Sequence, residues 1–284
     1  MPEWFAETLH AEFRQHLRID RVIYRCNTNL QEILIFENSV LGRVLVLDGV
    51  VQTTEADEFI YHEMLTHVPI IAHGFARRVL VVGGGDGGMI EEALKYHCLE
   101  QVVMVEVDRS VVDICKKYLP TLSQGAFDDP RLQLVISDGS EYVSKTKQRF
   151  DVIIIDSPDP VGPAVNLFSD KFYQDCRLCL NPGGVLVAQN GVPFVQAQGL
   201  RESARRLSDH FADVTFFRAS VPTYYGGDMA FGWATDDVTL RTLSIGQLRT
   251  RFSEENLNTR HYSPEIHLAA FAIPPWVDEV LTNK

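Results

Sequence analysis

The fold expected from the sequence is a doubly wound, mainly parallel α/β sheet preceded by a small antiparallel β unit. Three features predict it. After Arg78, short apolar runs and helical stretches alternate to about Thr235. The runs VLVVGG, VVMVEVD, LQLVISDG and FDVIIIDSPDP are nearly continuous in Val, Ile and Leu, the pattern of strands with helices covering both faces. Before Thr54, by contrast, short strands follow one another with only turns between them.

The elements follow in order. VIYRCNT, EILIFEN, RVLVLDG and VVQTT read as strands, and Asp48-Gly49 between two of them is a hairpin signal, because a tight turn of the favoured hand needs residues that tolerate positive φ. At Thr54 the period changes. A capping-box-like Thr54 and Asp57 precede apolar residues at helical spacing, which predicts a connecting helix over about 55–72. The boundary divides the chain into a β domain, 1–54, and an α/β domain, 55–284, the one expected to carry the function. Helices are then expected to about His97, to about Tyr118, briefly after Gly139, from about Ser169, and from about Gln196 to His210. Strands near Asp213–Ala219 and Met229–Thr235 complete the sheet.

Composition narrows the function. The chain has 284 residues with 26 Lys+Arg against 38 Asp+Glu, a net charge of −12. That acidity opposes binding to nucleic acid or an anionic membrane, which depends on clustered Lys and Arg, and it suits a cationic partner. The acids Glu55, Asp57, Glu58 and Glu63 cluster without a Lys or Arg among them and read first as a solvated helix face. An odd count of 5 Cys implies no disulfide framework. No apolar run has signal-peptide or membrane-spanning length, so the expected location is the cytoplasm.

In doubly wound sheets ligands bind beyond the carboxyl ends of the strands, where this sequence repeatedly places acids. Gly83-Gly84-Gly85-Asp86-Gly87-Gly88 follows the first parallel strand and opens a helix, and Glu106 ends the next strand, where a carboxylate can accept ribose hydroxyls. This predicts a nucleoside site, although the glycine pattern alone also fits dinucleotide-binding folds. Asp138-Gly139 is placed to meet an adenine edge, and Asp156-Ser157-Pro158-Asp159-Pro160 lies over the middle of the sheet. Asp86 in the glycine loop is awkward for a pyrophosphate, or for the carboxylate of S-adenosylmethionine, and suits an ammonium group. With Asp156 and Asp159 nearby, the site reads as a cation trap beside a nucleoside pocket.

Segments along almost the whole chain then resemble the polyamine aminopropyltransferase family of spermidine synthases, most nearly its bacterial members. They are FENSVLGRVLVLDGVVQTTEADEFIYHEMLTHVP at 36–69, VVGGGDGG at 81–88, Glu106, SDG at 137–139, DSPDPVGPAVNLF at 156–168, NPGGVLVAQN at 181–190 and PTYYGG at 222–227. The resemblance implies a Rossmann-like, methyltransferase-type sheet and transfer of the aminopropyl group of decarboxylated S-adenosylmethionine, a co-substrate, to putrescine. The products would be spermidine and methylthioadenosine, with no permanently bound cofactor or metal. It implies Asp156 as proton acceptor and Glu106, Asp138, Gly139, Gln31 and Pro163 as nucleoside contacts, beside Gly83 and Gly85 of the glycine loop. Asp86 and His62 would meet amine groups, and Tyr61, Ser157, Pro158, Asp159, Gln189 and Tyr224 would line the diamine channel. A homodimer or homotetramer is also implied. The sequence departs from the family at Pro158, where Ser or Thr is usual. Proline removes a backbone donor and biases Ser157 toward an extended conformation, which puts the positioning of the amine in question.

Other signals read as structural. Cys176 and Cys179 have no second Cys pair nearby and suit an apolar helix face, and His62 and His67 stand five apart rather than the four that a zinc-protease helix requires. Trp4, Trp233 and Trp276 read as core. Two rival functions remain at this level: an N-methyltransferase using S-adenosylmethionine on a diamine, and an inactive polyamine-binding module.

Overall fold

The computed structural model describes residues 2–158 and 162–282, with residues 162 and 163 described by their backbone alone. Two strands, β1 (Glu3–Ala6) and β2 (His16–Ile19), pair antiparallel. They lie in the segment to which the sequence reading assigned no element. A four-stranded antiparallel sheet follows, formed by β3 (Arg21–Asn27), β4 (Glu32–Asn38), β5 (Gly42–Leu47) and β6 (Val50–Thr54) in that order. Between β5 and β6, Asp48 and Gly49 both hold positive φ, 48° and 79°, the conformation expected of this pair in a tight hairpin.

The connecting helix α1 runs Glu58–His73, three residues later than expected at its start. The capping box does not form. Asp57 occupies the N-cap position without a side-chain bond to the helix, because Thr54 Oγ1 donates to its carboxylate instead at 2.6 Å.

The remaining elements are β7 (Arg78–Gly83), α2 (Gly88–Leu94), β8 (Gln101–Glu106), α3 (Arg109–Tyr118), α4 (Pro120–Ser123), β9 (Leu132–Ile136), α5 (Gly139–Lys145), β10 (Phe150–Asp156), α6 (Asp170–Cys179) and β11 (Leu180–Gln189), followed by α7 (Pro193–Ser208), β12 (Asp213–Ala219) and β13 (Met229–Thr235). Three helices, α8 (Ile245–Glu255), α9 (Pro264–Ala270) and α10 (Pro275–Thr282), lie beyond the last element read from the sequence. In α7 the helix proper begins after Gln196, whose φ of −126° breaks it there, close to the expected start.

The large sheet has seven strands in the order β12-β13-β11-β10-β7-β8-β9. β7 to β11 are mutually parallel, and β13 runs antiparallel to both β11 and β12. The chain starts at β7 in the middle, winds outward through β8 and β9, then returns to β10 on the other side. The switch point therefore lies between β7 and β10, where Asp156 is in register with Gly83.

Alternate residues of β7 serve opposite faces. Val79 and Val81 join the core that includes Met64, Leu65 and Val68 of α1, while Leu80 and Val82 join Phe172, Tyr173 and Cys176 of α6. This double burial accounts for the unbroken apolar runs. Trp233 is fully buried as expected, but Trp4 and Trp276 are 54% and 45% exposed and do not belong to the core. No described helix is long and apolar enough to cross a membrane.

The acidic run is not a solvated face. Asp57 and Glu63 are 5% and 1% exposed, and each acts as an anchor for a distant loop. Glu63 Oε1 accepts the Arg260 N–H at 2.7 Å, and its Oε2 accepts the N–H groups of His261 and Tyr262 at 2.8 and 2.7 Å. It thereby fixes the segment between α8 and α9. Glu63→Gln would supply one acceptor oxygen and turn an amide donor toward peptide donors, at a cost of about 2–4 kcal/mol. Tm should fall by on the order of 5–10 °C in a thermal melt; an unchanged Tm would deny Glu63 this role.

Candidate active site

The site forms where β7 and β10 end. Gly83 takes φ +88°, and a Cβ there would sit 1.9 Å from the Asp156 carbonyl oxygen, so the first glycine is required for the two strand ends to meet. A Cβ on Gly88 would fall 2.2 Å from the His62 ring. The glycine string thus admits both the end of β10 and the side chain of a neighbouring helix.

One cavity of about 420 Å³ opens over these strand ends. Its walls include Gln31, Tyr61, Gly83, Gly85, Asp86, Glu106, Asp138, Gly139, Asp156, Ser157, Pro158, Gln189 and Tyr224. His62 is absent from them. Its ring is 2% exposed and stands behind Asp86, with Nε2 3.5 Å from Asp86 Oδ2 and Nδ1 2.6 Å from Glu58 Oε2. Asp159 lies outside the described residues, as does the side chain of Pro163.

The cavity has two halves, one beside Glu106 and Asp138 and a more acidic one beside Asp86 and Asp156. In the first, Glu106 is buried and accepts the Asp108 N–H at 2.9 Å; burial pushes its carboxyl up to about 7, against the lowering effect of the Asp108 and Val107 amides. Asp138 caps α5, with Oδ1 accepting the N–H groups of Ser140 and Glu141 at 2.8 and 3.0 Å. Burial opposes ionisation of Asp138, but the bonds from Ser140 and Glu141 outweigh it and hold the carboxyl below its ordinary range. Gln31 donates to Asp108 Oδ2 at 3.0 Å, and Thr28 donates to the same oxygen, joining the β3–β4 turn to the start of α3.

In the acidic half, Tyr61 Oη donates to Asp156 Oδ1 at 2.7 Å. Burial, followed by the charge of Asp86, raises the Asp156 carboxyl to about 6, although His62 and the Tyr61 hydroxyl pull it down. Burial and the Asp156 charge also keep the Tyr61 phenol protonated well beyond its usual range. Burial alone would neutralise His62, but Asp86 and Glu58 on either side outweigh that cost and raise it well above its ordinary value. Asp86 suffers the same burial and is nevertheless lowered, by His62 and by the Gly88 N–H at 2.9 Å. His62, Asp86 and Asp156 bring one N or O atom each to within 4.8 Å of one another, so the His62 imidazolium offsets from behind part of the negative charge that the two carboxylates present to the cavity.

The walls of this half are aromatic. The Tyr61 ring lies 5.7 Å from that of Tyr224 and 5.5 Å from that of Phe231. Gln189 spends both ends of its amide on the backbone, donating to the Ser157 carbonyl at 2.9 Å and accepting the Gly191 N–H at 2.8 Å. It orients the walls. Ser157 Oγ is buried with no hydrogen-bond partner among the described residues, while Pro158 is exposed.

Asp108 and Glu7 were not among the residues expected from the sequence. Asp108, next to Glu106, was legible as the N-cap of α3, a Ser-compatible position before a helical run. Glu7 is 2% exposed, lines the same cavity, and accepts the Val51 N–H at 2.8 Å. Nothing in its sequence context distinguishes it from a surface acid, because β1 and β2 that place it were not legible. Cys176 and Cys179 are buried thiols that burial pushes above their ordinary range, Cys179 donating to the Val143 carbonyl.

Comparison with known proteins gives consistent matches. Residues 58–243 match the model of the spermine/spermidine synthase domain, and residues 3–55 match that of the spermidine synthase tetramerisation domain. The chain is 56% identical over 280 residues to polyamine aminopropyltransferase 1 of Pseudomonas aeruginosa, covering 99% of this chain and 98% of the relative. It is 52% identical over 278 residues to the polyamine aminopropyltransferase of Shigella flexneri, covering 98% and 96%. Among solved structures, a spermidine synthase in complex with the transition-state analogue AdoDATO superposes with a TM-score of 0.93 at 38% identity, over 99% of this chain and 96% of that one. The spermidine synthase of Thermotoga maritima gives 0.90 at 37%, over 99% and 95%.

Proposed function

The chain belongs to the spermine/spermidine synthase family, and we propose from that premise how its cavity carries out aminopropyl transfer. The protein is an enzyme, a polyamine aminopropyltransferase of the spermidine synthase type. Its donor is decarboxylated S-adenosylmethionine and its acceptor putrescine. The observation that carries this assignment is the juxtaposition of Asp156, Tyr61 and Asp86, with His62 behind Asp86, on one side of a cavity whose other side holds Glu106 and Asp138.

Glu106 accepts the ribose hydroxyls, and Asp138 with Gly139 meets the adenine. Asp86 receives the donor's aminopropyl ammonium. It can do so because His62 holds it ionised from behind, and the imidazolium takes no part in lining the cavity. Putrescine arrives as a dication, since primary amines titrate near ~10. Within aromatic walls its near ammonium loses hydration, which eases loss of a proton. Asp156, oriented by the Tyr61 hydroxyl, accepts that proton. The freed nitrogen then attacks the carbon beside the sulfonium. The new N–C bond forms as the C–S bond breaks, and its electron pair goes to sulfur, leaving neutral methylthioadenosine. Glu7, a further buried carboxylate on the cavity wall, is the candidate anchor for the ammonium that keeps its charge.

The discriminating experiment is incubation with putrescine and each sulfonium donor in turn, followed by mass analysis. Spermidine with methylthioadenosine from the decarboxylated donor is expected. Methylputrescine from S-adenosylmethionine would overturn the reading, as would polyamine binding without release of methylthioadenosine. Neither rival is favoured by the relatives.

The acid limb of kcat/KM for putrescine, at saturating donor, should lie at or below about pH 6. Asp156 is a base with a raised value of about 6, so activity is lost as pH falls through it and held above it; cationic substrates can only move the limb lower. A limb that instead climbed toward pH 9, following the free amine, would show that no protein base takes the proton. We further infer a homodimer or homotetramer assembled through residues 3–55, with a cytoplasmic location; sedimentation of the purified chain tests the first.

A further inference from the structure

We propose that Asp57 is a positioning residue for the acceptor side of the site, locking the loop between β12 and β13, which carries Tyr224, onto the start of the helix that carries Tyr61. The proposal rests on the aminopropyltransferase reading for its kinetic part only. Asp57 stands at the N-cap of α1, where a carboxylate ordinarily accepts the helix's own N–H groups, yet it makes no such bond. Its oxygens are used across the molecule. Oδ2 accepts the Thr223 N–H at 2.7 Å, while Oδ1 accepts Thr223 Oγ1 at 2.7 Å and Thr54 Oγ1 at 2.6 Å. All three residues are buried. A buried carboxylate with three short donors is a stiff joint, because each lost bond leaves a desolvated group unpaired.

The joint is reinforced on the loop's other side. The Thr223 carbonyl accepts Gln15 Nε2 at 3.2 Å, and Tyr224 Oη donates to the Gln52 carbonyl. Gly226 and Gly227 follow at φ +106° and +141°, so the adjoining backbone is of the kind that holds no single conformation by itself. What the joint positions is the Tyr224 ring, packed edge-on against Tyr61, whose hydroxyl in turn donates to Asp156. Neither Thr54 nor Thr223 is bonded to Glu106, Asp138 or Gln31. Loosening the joint should therefore disturb the acceptor and spare the donor.

The test uses the full chain with Asp57→Asn, which offers one acceptor oxygen where two are needed, and Thr223→Val, which removes only the hydroxyl. For Asp57→Asn we expect the putrescine KM to rise at least ~10-fold, with donor KM and methylthioadenosine affinity within about twofold. Backbone amides of 220–228 should exchange with deuterium at least ~10-fold faster while those of β8 keep their rates. Thr223→Val should shift the putrescine KM the same way by roughly threefold, and Thr223→Ser should reverse that loss. Equal changes in donor and acceptor constants, or an unchanged putrescine KM in a folded variant, would overturn the proposal. If Asp57→Asn does not fold, Thr223→Val against Thr223→Ser decides it alone. Wild-type chain that releases no methylthioadenosine would overturn the activity instead, and hydrogen exchange still reads the joint without turnover.

Discussion

Asp156→Asn is expected to lower kcat by at least ~100-fold, the lower range for a positioned general base, while methylthioadenosine affinity changes by no more than about threefold. The asparagine keeps the size of the side chain and an oxygen for the Tyr61 hydroxyl, now 2.7 Å from the carboxylate, so the cavity wall should survive. What it loses is a site for the proton. Only putrescine already deprotonated in solution can then react, so residual turnover should climb about tenfold per pH unit toward the amine's own value near ~10. Wild-type turnover should instead level off once Asp156, raised to about 6, has ionised. The two pH profiles separate loss of a base from damage to the site, because a merely distorted cavity would lower the whole profile without changing its slope. Near-normal turnover at neutral pH would move the base elsewhere.

That Asp156 could be singled out from sequence follows from the register of the sheet. An acid at the end of an unbroken Val/Ile run must emerge at the carboxyl edge of a parallel strand, and the switch point puts Asp156 opposite Gly83. The same logic found Glu106 and Asp138, since strand ends are local features. What was not legible depends on packing across the chain. Asp57 and Glu63 look like any solvated acids at a helix start, and only the return of residues 223 and 260–262 shows them to be buried anchors. The resemblance gives His62, like Asp86, as a group that meets an amine, whereas the structure sets its ring outside the cavity lining. The small volume of Gly88 lets the ring slide beneath the glycine loop, where it meets Asp86 from behind. The β1–β2 pair escaped because its strands are four residues long and only two of those residues, Phe5 and Ile19, are buried apolar, too few for alternation to be read.

Asp86→Asn should weaken binding of decarboxylated S-adenosylmethionine by on the order of 100-fold, at the upper end of what loss of a single charge-assisted hydrogen bond gives. Two effects act in the same direction. The donor's ammonium loses its carboxylate, and the His62 imidazolium behind it, still held by Glu58, loses the Asp86 charge that offset its own. That imidazolium would repel the incoming cation. Methylthioadenosine has no ammonium and should bind within about threefold of its wild-type affinity, so its titration is the control for an intact nucleoside half. S-adenosylmethionine itself gives the sharper contrast. Its carboxylate is opposed by Asp86 in the wild type and would no longer be, so the preference for the decarboxylated donor should shrink from both sides. Calorimetric titration of all three ligands against both chains measures this directly. Parallel losses for methylthioadenosine and the decarboxylated donor would assign Asp86 to the shape of the glycine loop, through its bond to the Gly88 N–H, and remove it as the group that excludes a carboxylate.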